Sequence, residues 1–247
     1  MVESDESSFG VRELARLLDA PPSSVQRTLE SGAEVSLVSP LVSGQWELGW
    51  ELYRIASLAQ RKRPFQAASQ ILDELTDATG ETSLLTVYDP RRVSRIYVAT
   101  SQSPRSVRLV PELFKWQPLH ATASALAILA FRPEEERIRL LDEGLPLFAE
   151  GPLDRATVER KFSEISRQGF AVSQDQSDAG ASAVGAPIRI ADVVVSSIAV
   201  AVPNQRFDAA TEQHLVEHVV RAAGILGQRM GDPLGAVHAD PSGSIGT

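Results

Sequence analysis

Apolar positions near the amino terminus recur at helical spacing on both sides of a short break. The first series repeats every three or four residues, which is typical of an amphipathic helix. It consists of Val11, Leu14, Ala15 and Leu18. Pro21 and Pro22 interrupt the pattern, and Val25 and Leu29 resume it. The pattern therefore predicts a helix, a tight turn and a second helix.

Shorter apolar segments follow, with an alternating rather than a helical spacing. Residues 35–38 and 45–48 flank a loop of serine, proline and glycine, which is typical of a β-hairpin. A helical pattern resumes at Trp50 and ends at a basic run before Pro64. Two helices followed by a hairpin predict a winged helix-turn-helix, and the helix after it predicts a linker.

The remaining chain alternates helical patterns with strand patterns. Helical patterns cover 65–79, 119–131, 134–142, 154–168 and 208–230. Strand patterns cover 82–87, 93–100, 107–109, 170–173, 183–189 and 193–202. This order predicts an α+β fold in which helices flank an antiparallel sheet. The predicted domains are a winged helix-turn-helix (1–49), a linker helix (50–63), a sheet-and-helix domain (64–232) and a disordered tail (233–247).

Composition excludes several classes of function. The 247 residues include no cysteine, which excludes disulfides, thiolate nucleophiles and thiolate metal sites. No apolar run is long enough to cross a bilayer, and the acidic first eight residues do not match a secretion signal. We therefore expect a cytoplasmic protein with no membrane partner. The motifs predict neither a cofactor nor a catalytic centre.

The second helix carries the residues that could read DNA. In a helix-turn-helix protein this helix enters the major groove and presents polar residues from its first turns to base edges. We expect Ser23 to cap the helix and Gln26 to bond back to the cap backbone. The candidate DNA-binding residues are Ser23, Ser24, Gln26, Arg27 and Thr28.

Charge favours a local DNA contact over a broadly basic surface. The chain has a formal net charge of -8. Residues 9–58 contain four arginines against six acidic residues, and no Lys or Arg lies between Val35 and Gly49. Because phosphate contacts supply much of the affinity for DNA, we expect weak binding unless a dimer supplies two half-sites.

Several short segments resemble the IclR family of bacterial transcription regulators. Residues 118–123 (PLHATA), 167–173 (RQGFAVS) and 186–188 (API) are similar to that family's PLHATA, RGYAVS and APV segments. Residues 80–82 and 46–49 resemble its GET and YRLG segments. The resemblance implies a winged-helix DNA-binding domain, a linker helix and a PAS/GAF-like effector-binding domain, working as a homodimer or a dimer of dimers. Family members usually carry one more helix before the helix-turn-helix, and we expect that helix to be missing here.

The resemblance also implies an effector pocket. Where family members that bind small carboxylates often have Cys or Ser, this chain has three alanines, so we expect a larger and drier pocket. Such a pocket suits a mostly apolar or aromatic effector with at most one carboxylate, held by backbone N–H groups at the head of the 119–131 helix. The candidate effector-binding residues are His120, Ala123, Ser124, Asp175, Ala183, Ala199 and Ala201, with Thr122 and Ser182 as further polar candidates.

Other functions remain open from the sequence. His214 and His218 lie one helical turn apart without a third ligand, so no metal site is predicted. A ligand-binding or assembly module with an attenuated DNA-binding domain would fit the acidic charge. An enzyme would need Asp175 and His120 as its acid and base. Neither the operator sequence nor the choice between repression and activation follows from the residues.

Overall fold

The chain divides into two compact units, Met1–Arg63 and Pro64–Thr247. A computed structural model describes residues 8–62, 65–118, 122–142, 155–175, 180–190 and 193–231. Each unit buries apolar side chains of its own, as expected for a folding domain.

The first unit is a helix-turn-helix followed by a small sheet. Its elements are β1 (Ser8–Phe9), α1 (Val11–Leu17), α2 (Pro22–Glu34), β2 (Val38–Pro40), β3 (Trp46–Leu48) and α3 (Trp50–Lys62). The turn between α1 and α2 passes through Asp19, whose φ of 47° is left-handed. Apolar side chains of the sheet and the first two helices form one core: Phe9, Leu14, Ala15, Val25, Leu29 and Trp46.

The start of α2 differs from the predicted cap. Pro21 is the N-cap residue instead of Ser23, and no side chain caps the helix. Pro22 takes the first helical position, where its missing N–H leaves no hydrogen bond unmade and its fixed φ suits the helix. Gln26 does not bond back to the cap; its side-chain amide donates to Oε1 of Glu30 over 2.7 Å.

A third strand extends the predicted hairpin. β3 pairs antiparallel with β2 on one side, with Glu47 opposite Ser39. On its other side it pairs with β1, with Trp46 opposite Phe9. The sequence pattern missed β1 because two residues are too few to show an alternation. Burial of Phe9 and Trp46 fixes this strand to the helices.

The second unit contains a six-stranded antiparallel sheet. Its strands are β4 (Thr82–Asp89), β5 (Ser94–Ser101), β6 (Gln117–Pro118), β7 (Ala171–Gln174), β8 (Ala181–Ile190) and β9 (Val193–Pro203), in the spatial order β6-β5-β4-β9-β8-β7. Its helices are α4 (Phe65–Thr79), α5 (Ala123–Leu129), α6 (Glu134–Asp142), α7 (Arg155–Gln168) and α8 (Ala209–Gly231). The predicted α+β architecture is confirmed.

Helices cover both faces of this sheet, because successive residues of a strand point to opposite sides. Leu85, Ile198 and Val200 pack on one face with apolar residues of α4 and α8. Tyr88 and Ala183 pack on the other face with apolar residues of α5, α6 and α7. The sheet therefore separates two apolar cores.

The predicted strand at 107–109 is wrong. These residues form irregular structure, and Val107 is exposed. The hydroxyl of Thr82 donates to the carbonyl oxygen of Leu109 over 2.8 Å, so a side chain and not a backbone ladder ties the segment to the sheet. The two-residue β6 pairs with β5 instead, with Gln117 opposite Arg95. An apolar-polar-apolar pattern of only three residues does not distinguish a strand from a loop that packs on a sheet.

The helix predicted over 119–131 is shorter in the structure. α5 begins at Ala123, with Thr122 as its N-cap. Thr122 Oγ1 accepts a hydrogen bond from the N–H of Ala125 over 3.4 Å. Residues 119–121 of the predicted helix, and the predicted tail at 233–247, lie outside the described residues.

A bulge interrupts the pairing of β4 with β5. Leu85 lies opposite Ala99, but the next residue, Thr86, lies opposite Tyr97, so Val98 has no partner on β4. An extra residue in one strand changes which of its side chains emerge on each face. Tyr97, the residue just before the bulge, points to the α5 side of the sheet.

Candidate functional site

A cavity of about 320 Å³ lies in the second unit, between the sheet and the start of α5. Apolar residues form most of its wall. They are Leu84, Tyr97, Leu109, Val110, Pro111, Ala181, Ala183, Ala199 and Ala201. The polar lining residues carry hydroxyl groups only, and they are Thr122, Ser124, Ser173 and Ser182.

The alanines explain why there is space at this position. Ala181 and Ala183 alternate on β8, Ala199 and Ala201 alternate on β9, and Ala183 lies opposite Ala201. Alternate residues share a sheet face, so four small side chains lie together beneath α5. Larger side chains at these positions would fill the volume that the cavity occupies.

Most of the lining hydroxyl groups already have a partner within the protein. Ser173 Oγ accepts from the N–H of Ala123 over 2.8 Å, and Ser182 donates to Oδ1 of Asn204 over 2.5 Å. Thr122 and Ser124 share a hydrogen bond of 3.2 Å. A ligand would therefore meet weakly polar groups that are already positioned by the protein.

The head of α5 offers less to an anion than the sequence suggests. The helix has only seven residues. Two of its first three backbone N–H groups, those of Ala123 and Ala125, donate to Ser173 and Thr122. A helix terminus binds anions through N–H groups that lack a partner, and few remain here.

The candidate effector-binding residues fall into three groups. Ser124, Ala183, Ala199 and Ala201 line the cavity, as do the further candidates Thr122 and Ser182. Ala123 does not line it: its side chain is fully buried among apolar neighbours. Asp175 is not a lining residue either, and its Oδ1 accepts from the N–H of Gly180 and the side-chain amide of Asn204 at 2.6 and 2.8 Å. His120 lies outside the described residues.

Seven lining residues were missed by the sequence analysis, for two different reasons. Leu84, Tyr97, Ser173 and Ala181 lie in or beside predicted strands, so the alternation of those strands could have pointed to them. Leu109, Val110 and Pro111 belong to an irregular segment, and no periodic signal places such residues against a sheet.

The candidate DNA-binding residues occupy the outer side of α2. Val25 and Leu29 are buried against α1, whereas Ser23, Ser24, Arg27 and Thr28 are exposed. Gln26 is half-buried and bonded to Glu30. Thr28 Oγ1 donates to the carbonyl oxygen of Ser24 over 3.0 Å, a bond within the helix. The outer face of α2 is therefore polar.

His214 and His218 contact the backbone of the protein. His218 Nδ1 lies 2.9 Å from the carbonyl oxygen of His214, and His214 Nε2 lies 3.3 Å from that of Ala78. Among the described residues, no group of three or more His, Asp or Glu is placed to hold a metal ion. No helix within the described ranges has the length and apolar character needed to cross a membrane.

A helix-turn-helix unit, followed in the chain by a unit with a cavity of ligand size, defines the class of effector-controlled transcription regulators. Residues 57–226 match the family model described as "Bacterial transcriptional regulator IclR C-terminal". The chain belongs to the IclR family of bacterial transcription regulators.

Relatives and solved structures agree with this family. The HTH-type transcriptional regulator Rv1719 of Mycobacterium tuberculosis is 30% identical over 231 residues, covering 83% of this chain and 87% of the relative. A crystal structure of a Silicibacter protein assigned to the IclR regulators superposes with a TM-score of 0.79 at 26% identity, covering 91% of this chain and 89% of the other. A crystal structure of an IclR homologue from Microbacterium hydrocarbonoxydans complexed with 4-hydroxybenzoate has a TM-score of 0.72 at 21% identity, covering 92% and 94%. The resemblance to the IclR family is confirmed.

Proposed function

We propose that this IclR-family regulator binds operator DNA through α2 and the wing, the hairpin of β2 and β3. A mostly apolar or aromatic effector with at most one carboxylate controls this binding. The observation that carries the proposal is the cavity walled by alanines beneath α5. Effector binding there shifts the balance between dimer arrangements and so the spacing of the two DNA-reading helices.

The lining chemistry supports the apolar character of the effector. A volume of about 320 Å³ lies at the lower end of the range for small-molecule pockets, which are mostly apolar with a few fixed polar groups. Eight aliphatic residues, Tyr97 and four serine or threonine residues line it, and no charged residue is among the described lining residues. The complex of 4-hydroxybenzoate with a protein of the same fold supports an aromatic monocarboxylate as the first compound to test.

A thermal-shift screen of organic acids tests the effector class. We expect aromatic and branched apolar monocarboxylates to raise the midpoint of unfolding, and small polar acids such as glyoxylate to have little effect. The variant Ala199→Leu fills the cavity and should weaken the response. Ala210→Leu adds the same atoms at an exposed position and serves as its control. Stabilisation by glyoxylate alone would contradict the proposal.

Operator binding is tested on the exposed side of α2. If Arg27 reads a base, Arg27→Ala should weaken operator binding by about 1–3 kcal/mol and relax specificity at that base pair. Arg229→Ala removes an exposed arginine from α8 of the other unit and should leave the isotherm unchanged. An unchanged isotherm for Arg27→Ala would place the DNA contact elsewhere.

The assembly we propose is a homodimer or a dimer of dimers. The linker helix α3 exposes large apolar side chains, with Trp50, Tyr53, Ile55 and Leu58 exposed to 81%, 60%, 46% and 41%. Exposed apolar clusters of this kind mark contact surfaces. Sedimentation should give a dimer or tetramer for the full chain, and Ile55→Lys should shift the equilibrium toward the monomer. A monomeric wild-type protein would overturn this part of the proposal.

The acidic balance of the first unit supports a second function, a ligand-binding or assembly module with attenuated DNA binding. Electrophoretic shifts with the DNA upstream of its own coding region, at low and at moderate salt, separate the two functions. A regulator should bind that DNA with an affinity that falls as salt rises. A module of the second kind should not bind it at either salt concentration.

A further inference from the structure

Arg95 of β5 is a buried cation beside the cavity. Only 3% of the residue is exposed, and its guanidinium carbon lies 4.6 Å from the centroid of the Tyr97 ring. Tyr97 itself lines the cavity. The two residues alternate on one strand, so both side chains emerge on the same face of the sheet. Arg95 is not itself a lining residue, but its guanidinium lies against a ring that forms part of the cavity wall.

The guanidinium lacks the partners that a buried cation needs. Within the described residues, Nε and Nη1 of Arg95 are buried and make no hydrogen bond, and none of the ion pairs includes this arginine. Burial of a charge is costly unless an opposite charge or hydrogen-bond acceptors compensate for the lost water. Stacking on an aromatic face compensates only in part. Within the described residues, the positive charge of Arg95 therefore has no opposite charge to compensate it.

A neighbouring carboxylate, Glu136, is already occupied. Its Oε2 accepts from Arg132 Nε over 2.9 Å, and its Oε1 accepts from the hydroxyl of Tyr88 over 2.9 Å. Tyr88 lies opposite Arg95 in the pairing of β4 with β5. Burial, together with the bond to Glu136, raises the pKa of Tyr88, so this hydroxyl stays protonated and keeps donating. Both carboxylate oxygens of Glu136 are therefore already bonded, one to the cation Arg132 and the other to the hydroxyl of Tyr88.

A second polar group on this face lacks a partner. Thr86 is fully buried, and its Oγ1 makes no hydrogen bond with any described residue. It lies opposite Tyr97 and two residues after Leu84, which lines the cavity. A buried hydroxyl without a partner is unusual. The hydroxyl and the guanidinium are both donors that a carboxylate can accept from.

Arg95 has two in-plane donors that make no hydrogen bond with a described residue. A guanidinium stacks on rings through its face and bonds carboxylates in its plane, often through two parallel N–H donors. The guanidinium carbon of Arg95 lies over the Tyr97 ring. The guanidinium has two in-plane edges, Nε with Nη2 and Nη1 with Nη2, and each edge contains one of the two unpartnered nitrogens.

We propose that Arg95 binds the carboxylate of the effector, with Thr86 as a further donor. This inference rests on the proposed function of the cavity, and it assigns the anionic end of the ligand to β5 rather than to the head of α5. The apolar or aromatic body of the ligand then fills the space between Tyr97 and the alanines of β8 and β9. The ligand chemistry is a monocarboxylate on an apolar body.

The test compares Arg95→Met with the wild-type full chain. The probes are benzoate, 4-hydroxybenzoate and phenylacetate, each paired with its neutral amide at the same millimolar concentration. We expect the acids to stabilise the wild-type protein more than the amides do. In Arg95→Met the acids should bind about tenfold or more weakly, since a bond to a charged group is lost. The ligand-free variant should also unfold at a higher temperature, because an uncompensated buried charge is gone.

Three further variants sharpen the comparison. Arg91→Met makes the same replacement at an exposed position of the same hairpin and should change neither the ligand response nor the midpoint. Thr86→Val replaces the unpartnered hydroxyl by a methyl group and should weaken acid binding less than Arg95→Met does. If Arg95→Met fails to fold, Arg95→Lys keeps the charge without the planar fork and should retain the preference for acids at reduced affinity.

The other outcomes overturn the proposal in distinguishable ways. A lower midpoint for ligand-free Arg95→Met, with the preference for acids unchanged, would make Arg95 a structural cation. Equal stabilisation of the wild-type protein by acids and amides would leave the cavity as a ligand site, as the proposed function requires, but would remove Arg95 as its anchor. A wild-type protein that responds to none of the six probes would count against both the anchor and the proposed effector class.

Discussion

The two units bury their apolar side chains differently. The first unit has one small core shared by two helices and a three-stranded sheet, and its α3 leaves large apolar side chains exposed. The second unit covers both faces of a single sheet and so has two cores. Because small domains gain little from burial, the first unit depends on each core residue, whereas the second retains a cavity within its fold.

The DNA-reading candidate α2 begins differently from α5 and α8 of the second unit. No side chain caps α2. In the second unit, Thr122 caps α5, and Asp208 accepts from the N–H of Thr211 over 2.8 Å at the start of α8. Capping stabilises a helix start by satisfying N–H groups that have no partner in the helix. The exposed serines at the start of α2 are not used as caps, so their hydroxyl groups can face a binding partner.

The largest expected effect breaks the small core. Trp46→Ala removes a side chain that is only 7% exposed, and we expect a loss of about 3–5 kcal/mol from the free energy of unfolding of the first unit. Operator binding should be lost while ligands still stabilise the second unit. Circular dichroism melts with and without ligand measure the stability and the ligand response. Operator titrations measure DNA binding. Val42→Ala, at a fully exposed position of the wing, should change stability by about 0.5 kcal/mol or less. Loss of the ligand response in Trp46→Ala would contradict the independence of the two units.

A smaller effect is expected where the sheet approaches α5. A Cβ at Gly185 would lie 2.8 Å from the backbone carbonyl group of Ala123, and backbone atoms have no rotamer to relieve the contact. Gly185→Ala should therefore cost about 1–3 kcal/mol by overpacking and weaken ligand binding by displacing α5. Calorimetry of ligand binding and chemical denaturation measure the two effects.

A matched control for that substitution lies in α8. At Gly224 an added Cβ meets nothing within 4 Å. Gly224→Ala should leave ligand binding intact and stabilise the second unit by about 0.5–1 kcal/mol, since alanine favours a helix interior over glycine. Equal ligand affinity in the two variants would show that the close approach at Gly185 does not shape the cavity.

The smallest effect concerns pH. The hydrogen bond from the backbone of Thr211 lowers the pKa of Asp208 in the folded state. A lowered folded pKa stabilises the protein above the unfolded pKa, and this stabilisation is lost as pH falls through the folded value. Asp208→Ala should therefore reduce stability at neutral pH, and the gap to the wild-type protein should narrow below about pH 4. Urea denaturation at several pH values measures this gap. A gap that stays constant with pH would rule out the charge of Asp208 as its cause.

The long elements could be predicted from the sequence because their periodic patterns extend over many residues. The helix over 65–79 has the predicted bounds, and β9 differs from its prediction by one residue. β1 and β6 could not be predicted, because strands of two residues have no period. The predicted cap of α2 was wrong because serine and proline both favour helix starts, and the helix begins at Pro22 with Pro21 as its N-cap.

The candidate site was only partly predictable for a similar reason. Three of the four alanines of the cavity wall, Ala183, Ala199 and Ala201, lie in strands with a clear alternation, and the resemblance to a family pointed to them. Arg95 was not singled out, because arginine side chains are normally exposed to solvent. Arg95 is buried on a strand that pairs with β4 and β6, and no local sequence pattern reports such pairing.

The bulge at Val98 has a consequence for comparing relatives of this protein. It sets which residues of β5 face the cavity and which pack against α4 and α8. An alignment that misplaces one gap between Arg95 and Ala99 would exchange the two sets, since neighbouring strand positions point to opposite sides. Homologues that gained or lost a single residue here would present a different ligand-facing surface even where the rest of their sequences agree.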